Sequence, residues 1–99
     1  GFWDWVPAYG RKGWKLEDYG KNVDKVSRKQ AAAWQSGTLE DWGRDIAEAG
    51  HLGYKMLEGV NDIAEMSEEQ MIAARDLSDK MAMMAAYRLA HVLNTIFSY

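Results

Sequence analysis

The sequence has no cysteine and a single proline among its 99 residues. Without cysteine, the chain can form neither a disulfide framework nor a thiolate metal site, and the redox state of its compartment stays open. The longest uninterrupted apolar run covers residues 81–87, far short of the roughly 18–20 residues that span a bilayer. We therefore expect a chain with no membrane partner.

Charged and aromatic side chains are unevenly distributed along the chain, which is short enough to form one domain at most. The formal net charge of −3 excludes a generic basic nucleic-acid coat, although residues 1–36 carry seven basic and four acidic side chains. The tryptophans are clustered in the sequence, and a cluster of large rings either anchors a small core or lines a cleft. All five lie in the first 42 residues: Trp3, Trp5, Trp14, Trp34 and Trp42.

Apolar periodicity predicts an all-α fold, a three-helix arrangement that follows an irregular N-terminal segment. The irregular, tryptophan-rich segment is residues 1–14, which hold three glycines and the only proline. The helical bundle is residues 15–99. We predict its helices at about 15–35, 39–60 and 68–97.

Local signals mark where these helices begin and end. Gly37 is suited to the left-handed conformation that ends the first helix. Thr38 with Asp41, and Ser67 with Gln70, have the spacing of capping boxes at the starts of the second and third helices.

Two features of the helices suggest close contacts. Gly50 and Gly53 each weaken the second helix by roughly 1 kcal/mol relative to alanine, and we attribute them to the approach of another helix or a bulky ring. The apolar band of the third helix, residues 81–97, covers more than half of its circumference. Such a helix is usually contacted on several sides, which indicates that further polypeptide covers part of it.

Few residues are arranged for catalysis. His51 and His91 fall on different helices, and neither has a histidine or carboxylate at the i+3 or i+4 position of its helix. We interpret His91 as a packing histidine and His51 as a solvated one. Asp4 is a candidate metal ligand. It lies between Trp3 and Trp5, whose rings would keep a metal-bound carboxylate oriented and partly dry. The alternative for Asp4 is an aspartate that caps a turn.

Three segments resemble a known family in the same order along the chain. Residues 85–94, Ala-Ala-Tyr-Arg-Leu-Ala-His-Val-Leu-Asn, are similar to the closing helix of the zinc-dependent single-strand nucleases called nuclease S-one and P-one. Residues 37–42, Gly-Thr-Leu-Glu-Asp-Trp, resemble the Pro-Glu-Asp-Trp-Ala-x-Glu-Ser segment of bacterial members, with Asp45-Ile46 where Glu-Ser is usual. Residues 2–4, Phe-Trp-Asp, look like the end of the family's His-x-x-Trp-Asp metal motif.

The resemblance implies a helical nuclease fold, within the phospholipase C/nuclease superfamily, of which this chain is the C-terminal portion. Family members hold a three-zinc cluster and hydrolyse phosphodiesters of single-stranded RNA and DNA, and they remove 3′-phosphates from nucleotides. Zinc in such sites lowers the pKa of a bound water and neutralises charge on the phosphate. The resemblance also implies an exported protein, secreted or periplasmic.

Only Asp4 matches a zinc-ligand position of the family, and Trp5 falls where some members have an aromatic residue that stacks on the nucleotide. The histidine of the metal motif would directly precede Gly1, and the other ligands belong to the upstream part of the family's sequence. We therefore expect a fragment that is inactive without a companion N-terminal chain of the same nuclease. No residue of this chain is assigned a catalytic role.

Two alternatives do not use zinc. In one of them, the chain is a non-catalytic helical protein-interaction module that shares only helix packing with the family. The other is a helix bundle that binds nucleic acid through its basic first 36 residues, and its local charge of +3 is small for strong phosphate binding.

Overall fold

The structure is a computed structural model that describes residues 2–98, apart from the side chains of residues 2, 4 and 63. It is all-α, as predicted, and no strand occurs in the range described. One helical turn, α1 (Phe2–Trp5), precedes four helices of eight residues or more. These are α2 (Leu16–Asp24), α3 (Arg28–Gln35), α4 (Leu39–Met56) and α5 (Glu68–Phe97), with 3-10 turns at Val6–Ala8 and Ile63–Glu65.

The predicted first helix, 15–35, is wrong as one element, because the chain breaks between α2 and α3. Ser27 adopts an extended conformation, and its side chain accepts a hydrogen bond from the backbone N–H of Gln30. The backbone N–H groups of Lys25 and Val26 bond three residues back, which tightens the end of α2. A serine that caps the next helix therefore interrupts the helix, although the apolar periodicity on both sides of it predicted a continuous one.

The predicted irregular segment is also partly helical, since α1 and the 3-10 turn at Val6–Ala8 both lie within residues 1–14. Val6 is completely buried, and the 3-10 turn packs against α5. Positive φ angles at Gly10 and Gly13 then redirect the chain toward α2. Burial of one valine on α5 thus orders a segment whose glycine content favours irregular chain.

The caps of the two long helices agree with the sequence. Capping boxes join Thr38 with Asp41 and Ser67 with Gln70, and Gly37 has a φ of +91°. The helix α4 ends at Met56, four residues before the predicted boundary, and the chain turns at Gly59, where φ is +80°.

The core is small for a chain of this length. Among the side chains that the structure describes, the buried apolar ones are Val6, Trp34, Ala74 and Met84. The radius of gyration is 15.4 Å, whereas a compact chain of about 100 residues has about 13 Å. The accessible surface is 7464 Å², roughly 1,700 Å² more than the about 5,700 Å² expected of a compact monomer of this mass. None of the helices described combines the length and hydropathy that crossing a bilayer demands.

Candidate functional site

Trp3 lies across α4 at Gly53. A Cβ atom built on Gly53 would come within 2.9 Å of Cζ2 of the Trp3 ring and 3.6 Å of Cδ2 of Leu77. At Gly50, apart from the adjoining backbone of α4 itself and the two neighbouring residues, no heavy atom lies within 4 Å of the corresponding position. The prediction that a bulky ring approaches this helix is therefore confirmed for Gly53 and wrong for Gly50.

The Trp3 ring also separates two apolar grooves. One, of about 320 Å³, lies between α4 and α5 and is lined by Trp3, Ile46, Ala49, Gly50, Gly53, Leu77, Ser78 and Met81. The other, of about 440 Å³, lies at the end of α4 and is lined by Trp3, Tyr54, Leu57, Glu58, Gly59 and Val60. We call these two grooves and the ring between them the Trp3 surface.

The two predicted site residues, Asp4 and Trp5, both lie in α1. The Trp5 side chain is 66% exposed, so its ring is accessible to a stacking base or to another polypeptide. The side chain of Asp4 lies outside the part of the chain that the structure describes. The assignment of Asp4 as a zinc ligand therefore stays a prediction.

The described residues do not form a metal centre by themselves. Within them, no three histidine or carboxylate side chains lie close enough together to hold an ion. His51 on α4 is exposed, and His91 on α5 is exposed with its ring edge toward Trp42, 6.4 Å between centroids. A three-zinc cluster does not fit this set of side chains, so any such cluster needs ligands beyond the described side chains.

Arg88 joins three helices from within the apolar band of α5. Its Nη2 donates a 2.5 Å hydrogen bond to Oδ2 of Asp45 on α4, and its Nε donates a 2.8 Å bond to the carbonyl of Trp34 on α3. The guanidinium lies over the Trp42 ring, 5.0 Å from the centroid. Arg88 is only 7% exposed, so this cation is held where a charge is costly unless it is paired.

Next to Arg88, α3 and α5 make further contacts. The Gln35 side chain donates a 2.9 Å hydrogen bond to the carbonyl of Tyr87, and the rings of Trp34 and Tyr87 are 6.0 Å apart. The Tyr87 hydroxyl donates to the carbonyl of Val23 at 3.2 Å, which links α2 to the same point. These hydrogen bonds join α2, α3, α4 and α5 at one point, although Nη1 of Arg88 is buried there without a partner among the described residues.

Arg11 anchors the N-terminal segment to α5. Its Nη1 donates 2.8 Å hydrogen bonds to Oδ1 of Asp79 and to the carbonyl of Pro7, and its Nη2 bonds the second oxygen of Asp79. The hydrogen bond to Asp79 raises the pKa of Arg11 above its ordinary value, although burial acts in the opposite direction. Trp14 stacks beside the guanidinium at 4.9 Å. The pair holds the segment that follows α1 against α5.

Sequence reasoning missed both buried arginines. Arg88 interrupts the apolar band of α5, and a charged residue inside such a band signals that a buried partner exists. The position of that partner could not be read, because Asp45 lies 43 residues away along the chain.

Comparison with known proteins gives no relative for this chain: family models, curated protein sequences and solved structures all fail to match it.

Proposed function

We propose that this chain is the C-terminal part of a zinc-dependent nuclease of the S-one and P-one type. In the assembled enzyme Asp4 is one ligand of a three-zinc cluster, and Trp5 contributes a ring to the nucleotide site. The enzyme hydrolyses single-stranded RNA and DNA and acts as a 3′-nucleotidase outside the cytoplasm, in the periplasm or after secretion. The chain is inactive until its upstream part supplies the remaining ligands.

The observation that carries this proposal is the contact between the middle and closing segments that resemble the family. Arg88, in the closing-helix segment, bonds Asp45 and lies over Trp42, in the middle segment. Asp45 stands where the family usually has glutamate, so a carboxylate is kept for this arginine. Trp3, from the Trp-Asp segment, packs on Gly53 of the same helix. Matched residues of the middle and closing segments therefore contact one another, and Trp3 packs on the same helix beyond the matched residues, which supports a shared fold better than unconnected matches do.

The Trp3 surface provides a place for the upstream polypeptide. Its grooves are apolar and open, and the adjoining side chains of Trp5, Ile46 and Tyr54 are 66, 59 and 79% exposed. An apolar surface of this kind next to α1 favours an interface with protein. Polypeptide packed there would bring further zinc ligands to Asp4.

The test is to express the longer polypeptide encoded by the parent reading frame and to measure its zinc content and its hydrolysis of single-stranded RNA. We expect a histidine codon directly before Gly1, about three zinc ions per chain, and hydrolysis that a chelator removes. Asp4→Asn should lower both zinc content and activity, whereas Asp24→Asn, on the exposed surface of α2, should change neither. A longer polypeptide that binds no zinc and leaves single strands intact contradicts the proposal.

A non-catalytic interaction module is the second candidate, favoured by the large accessible surface and by the lack of a metal-binding group among the described residues. This candidate predicts that the chain alone unfolds cooperatively and that added zinc leaves its melting temperature unchanged. It also predicts that the longer polypeptide binds a protein partner without zinc. Zinc-dependent stabilisation of the longer polypeptide would favour the nuclease.

A further inference from the structure

A small cavity lies between α4 and α5, where Arg88 forms one of its walls. Its volume is about 190 Å³, and its other walls are apolar or aromatic side chains. Two of these, Ile46 and Ala85, are exposed, so the cavity can be entered from solvent on their side. We call it the Arg88 cavity, and the residues that line it are Trp42, Ile46, Met81, Met84, Ala85 and Arg88.

Arg88 carries a hydrogen-bond donor that the protein does not use. Its Nε and Nη2 donate to the carbonyl of Trp34 and to Asp45, whereas Nη1 is buried without a partner among the described residues. The guanidinium lies over the ring of Trp42, another wall of the cavity, so this corner of the group is close to the cavity. Arg88 is only 7% exposed, and a buried donor without an acceptor lowers stability. A molecule that supplies an acceptor there makes a hydrogen bond that the chain alone does not make.

The charges around Arg88 indicate which kind of acceptor fits. Oδ2 of Asp45 lies 2.5 Å from Nη2, so the positive charge of Arg88 is already paired. The other five residues that line the cavity carry no charge. An anionic ligand would therefore bring an unpaired negative charge into an apolar space, which is costly. A neutral carbonyl oxygen accepts a hydrogen bond without adding charge.

The volume of the cavity limits the ligand to a compact molecule. An apolar cavity of about 150 Å³ in another protein takes up benzene, whereas pockets for drug-sized ligands start at about 300 Å³. The Arg88 cavity, at about 190 Å³, suits a six-membered ring with one small substituent. Two of its walls, Met81 and Met84, are unbranched thioethers that adapt readily to a ligand.

We propose that the Arg88 cavity binds a compact, neutral, mainly apolar molecule whose single carbonyl oxygen accepts a hydrogen bond from Nη1. Because Nη1 itself has almost no contact with solvent, the oxygen reaches it as a methionine side chain moves aside. The cavity shares Ile46 and Met81 with the Trp3 surface, yet binding needs neither zinc nor the upstream polypeptide. The inference therefore goes beyond the nuclease proposal, and each can fail without the other.

The first experiment titrates the chain, without added zinc, with cyclohexanone as the probe. The methyl signals of its six methionines, labelled with carbon-13, are followed by NMR. We expect the signals of Met81 and Met84 to shift and to saturate. Those of Met66 and Met71, which do not line the cavity, should stay unchanged.

A pair of neighbouring alanines provides matched variants for this titration. Ala85→Leu places a larger side chain in the cavity and should abolish the saturable shift. Ala86→Leu is the control, because Ala86 is also exposed on α5 but does not line the cavity, and it should bind the probe as the unaltered chain does. Leucine is nearly as good a helix former as alanine, and circular dichroism checks that both variants keep their helices.

The second experiment tests the hydrogen bond with two further probes. Methylenecyclohexane has the shape of cyclohexanone with a CH₂ group in place of the oxygen. Its affinity and that of the ketone are each divided by the compound's partition coefficient from water into cyclohexane, which corrects for hydrophobicity. After this correction the ketone should bind roughly tenfold more tightly or better, as expected of a hydrogen bond from a charged donor. Cyclohexanecarboxylate, which brings the extra charge, should bind more weakly than the ketone.

Four outcomes contradict the proposal. Signals of Met81 and Met84 that do not respond to cyclohexanone show that the cavity takes up no such molecule. Equal loss of affinity in Ala85→Leu and Ala86→Leu places the probe elsewhere. Equal corrected affinities of the ketone and its methylene analogue show that Nη1 donates no hydrogen bond to the ligand. Tighter binding of the carboxylate identifies a site for anions instead of neutral molecules.

Discussion

The edge of the Trp3 ring occupies the space that a side chain at Gly53 would need, 2.9 Å from the position of its Cβ atom. This contact joins α1 to the middle of the chain and holds the segment that carries Asp4 and Trp5. Because α1 is a single turn, its own hydrogen bonds contribute little to its stability, and the order of the segment depends on such contacts.

Substitution of the two glycines of α4 by alanine should have opposite effects. Alanine favours a helix over glycine by roughly 1 kcal/mol, so Gly50→Ala, in open space, should stabilise the chain by about 0.5–1 kcal/mol. Gly53→Ala should destabilise it by about 1–2 kcal/mol net, since the ring of Trp3 must move. Urea denaturation measures both changes, and tryptophan fluorescence should shift only for Gly53→Ala. Equal stabilisation by the two substitutions would show that Trp3 does not pack there.

Arg88 should not be replaceable by lysine. Arg88→Lys loses the fork that binds Asp45 and the carbonyl of Trp34 together, and we expect a loss of about 2–3 kcal/mol in unfolding free energy. Arg44→Lys is the control, because the Arg44 side chain is 61% exposed and its pairs with neighbouring acids on α4 contribute less than about 0.5 kcal/mol. Denaturant unfolding at neutral pH distinguishes the two. A small effect at position 88 would mean that α3, α4 and α5 are held together by apolar contacts alone.

The pair of Arg11 and Asp79 should stabilise the N-terminal segment more than the rest of the molecule. Asp79→Asn keeps one acceptor but loses the charge, and we expect a cost of about 1–2 kcal/mol. The same change at Asp76, whose side chain is 66% exposed beside Arg75, should cost less than about 0.5 kcal/mol. Limited proteolysis should cleave the first 14 residues faster in Asp79→Asn than in Asp76→Asn. Equal cleavage would locate the anchor of this segment elsewhere.

Stability should depend on acid through the cap of α4. Hydrogen bonds from the backbone N–H and then the hydroxyl of Thr38 lower the pKa of Asp41 below its ordinary value. A carboxylate with a lowered pKa stabilises the folded state at a pH above the unfolded-state pKa of about 3.9, and this contribution is lost as the pH falls through the folded-state pKa. Thermal melts from pH 7 down to about pH 2 should show this loss, and Asp41→Asn should remove that component of the pH dependence. Identical profiles for the two proteins would exclude Asp41 as the group responsible.

The helix starts could be predicted because each depends on residues three apart in sequence. Thr38 with Asp41, and Ser67 with Gln70, form their capping boxes whatever the rest of the chain does. Ser27 and Gln30 have the same spacing, yet the apolar periodicity on both sides of them concealed the break between α2 and α3. Where two local signals disagreed, the hydrogen bond at the cap prevailed.

The candidate site was less accessible to prediction. Asp4 and Trp5 were selected by resemblance, which depends on residue type and order alone. The surroundings of α1 depend on contacts between distant segments, such as Arg11 with Asp79, 68 residues apart. Periodicity carries no information on such pairs, and the two glycines of α4 gave the one local sign of an approaching ring, which was right at Gly53 and wrong at Gly50.

The 30-residue length of α5 has a consequence for how the molecule opens. The N-terminal 3-10 turn, α3 and α4 all pack against this helix, so each depends on it more than on the others. Fraying of α5 beyond its last turns would detach those elements together. We therefore expect few partly unfolded intermediates. Backbone amides near the centre of α5 are therefore expected to exchange with solvent deuterium only when the whole molecule unfolds.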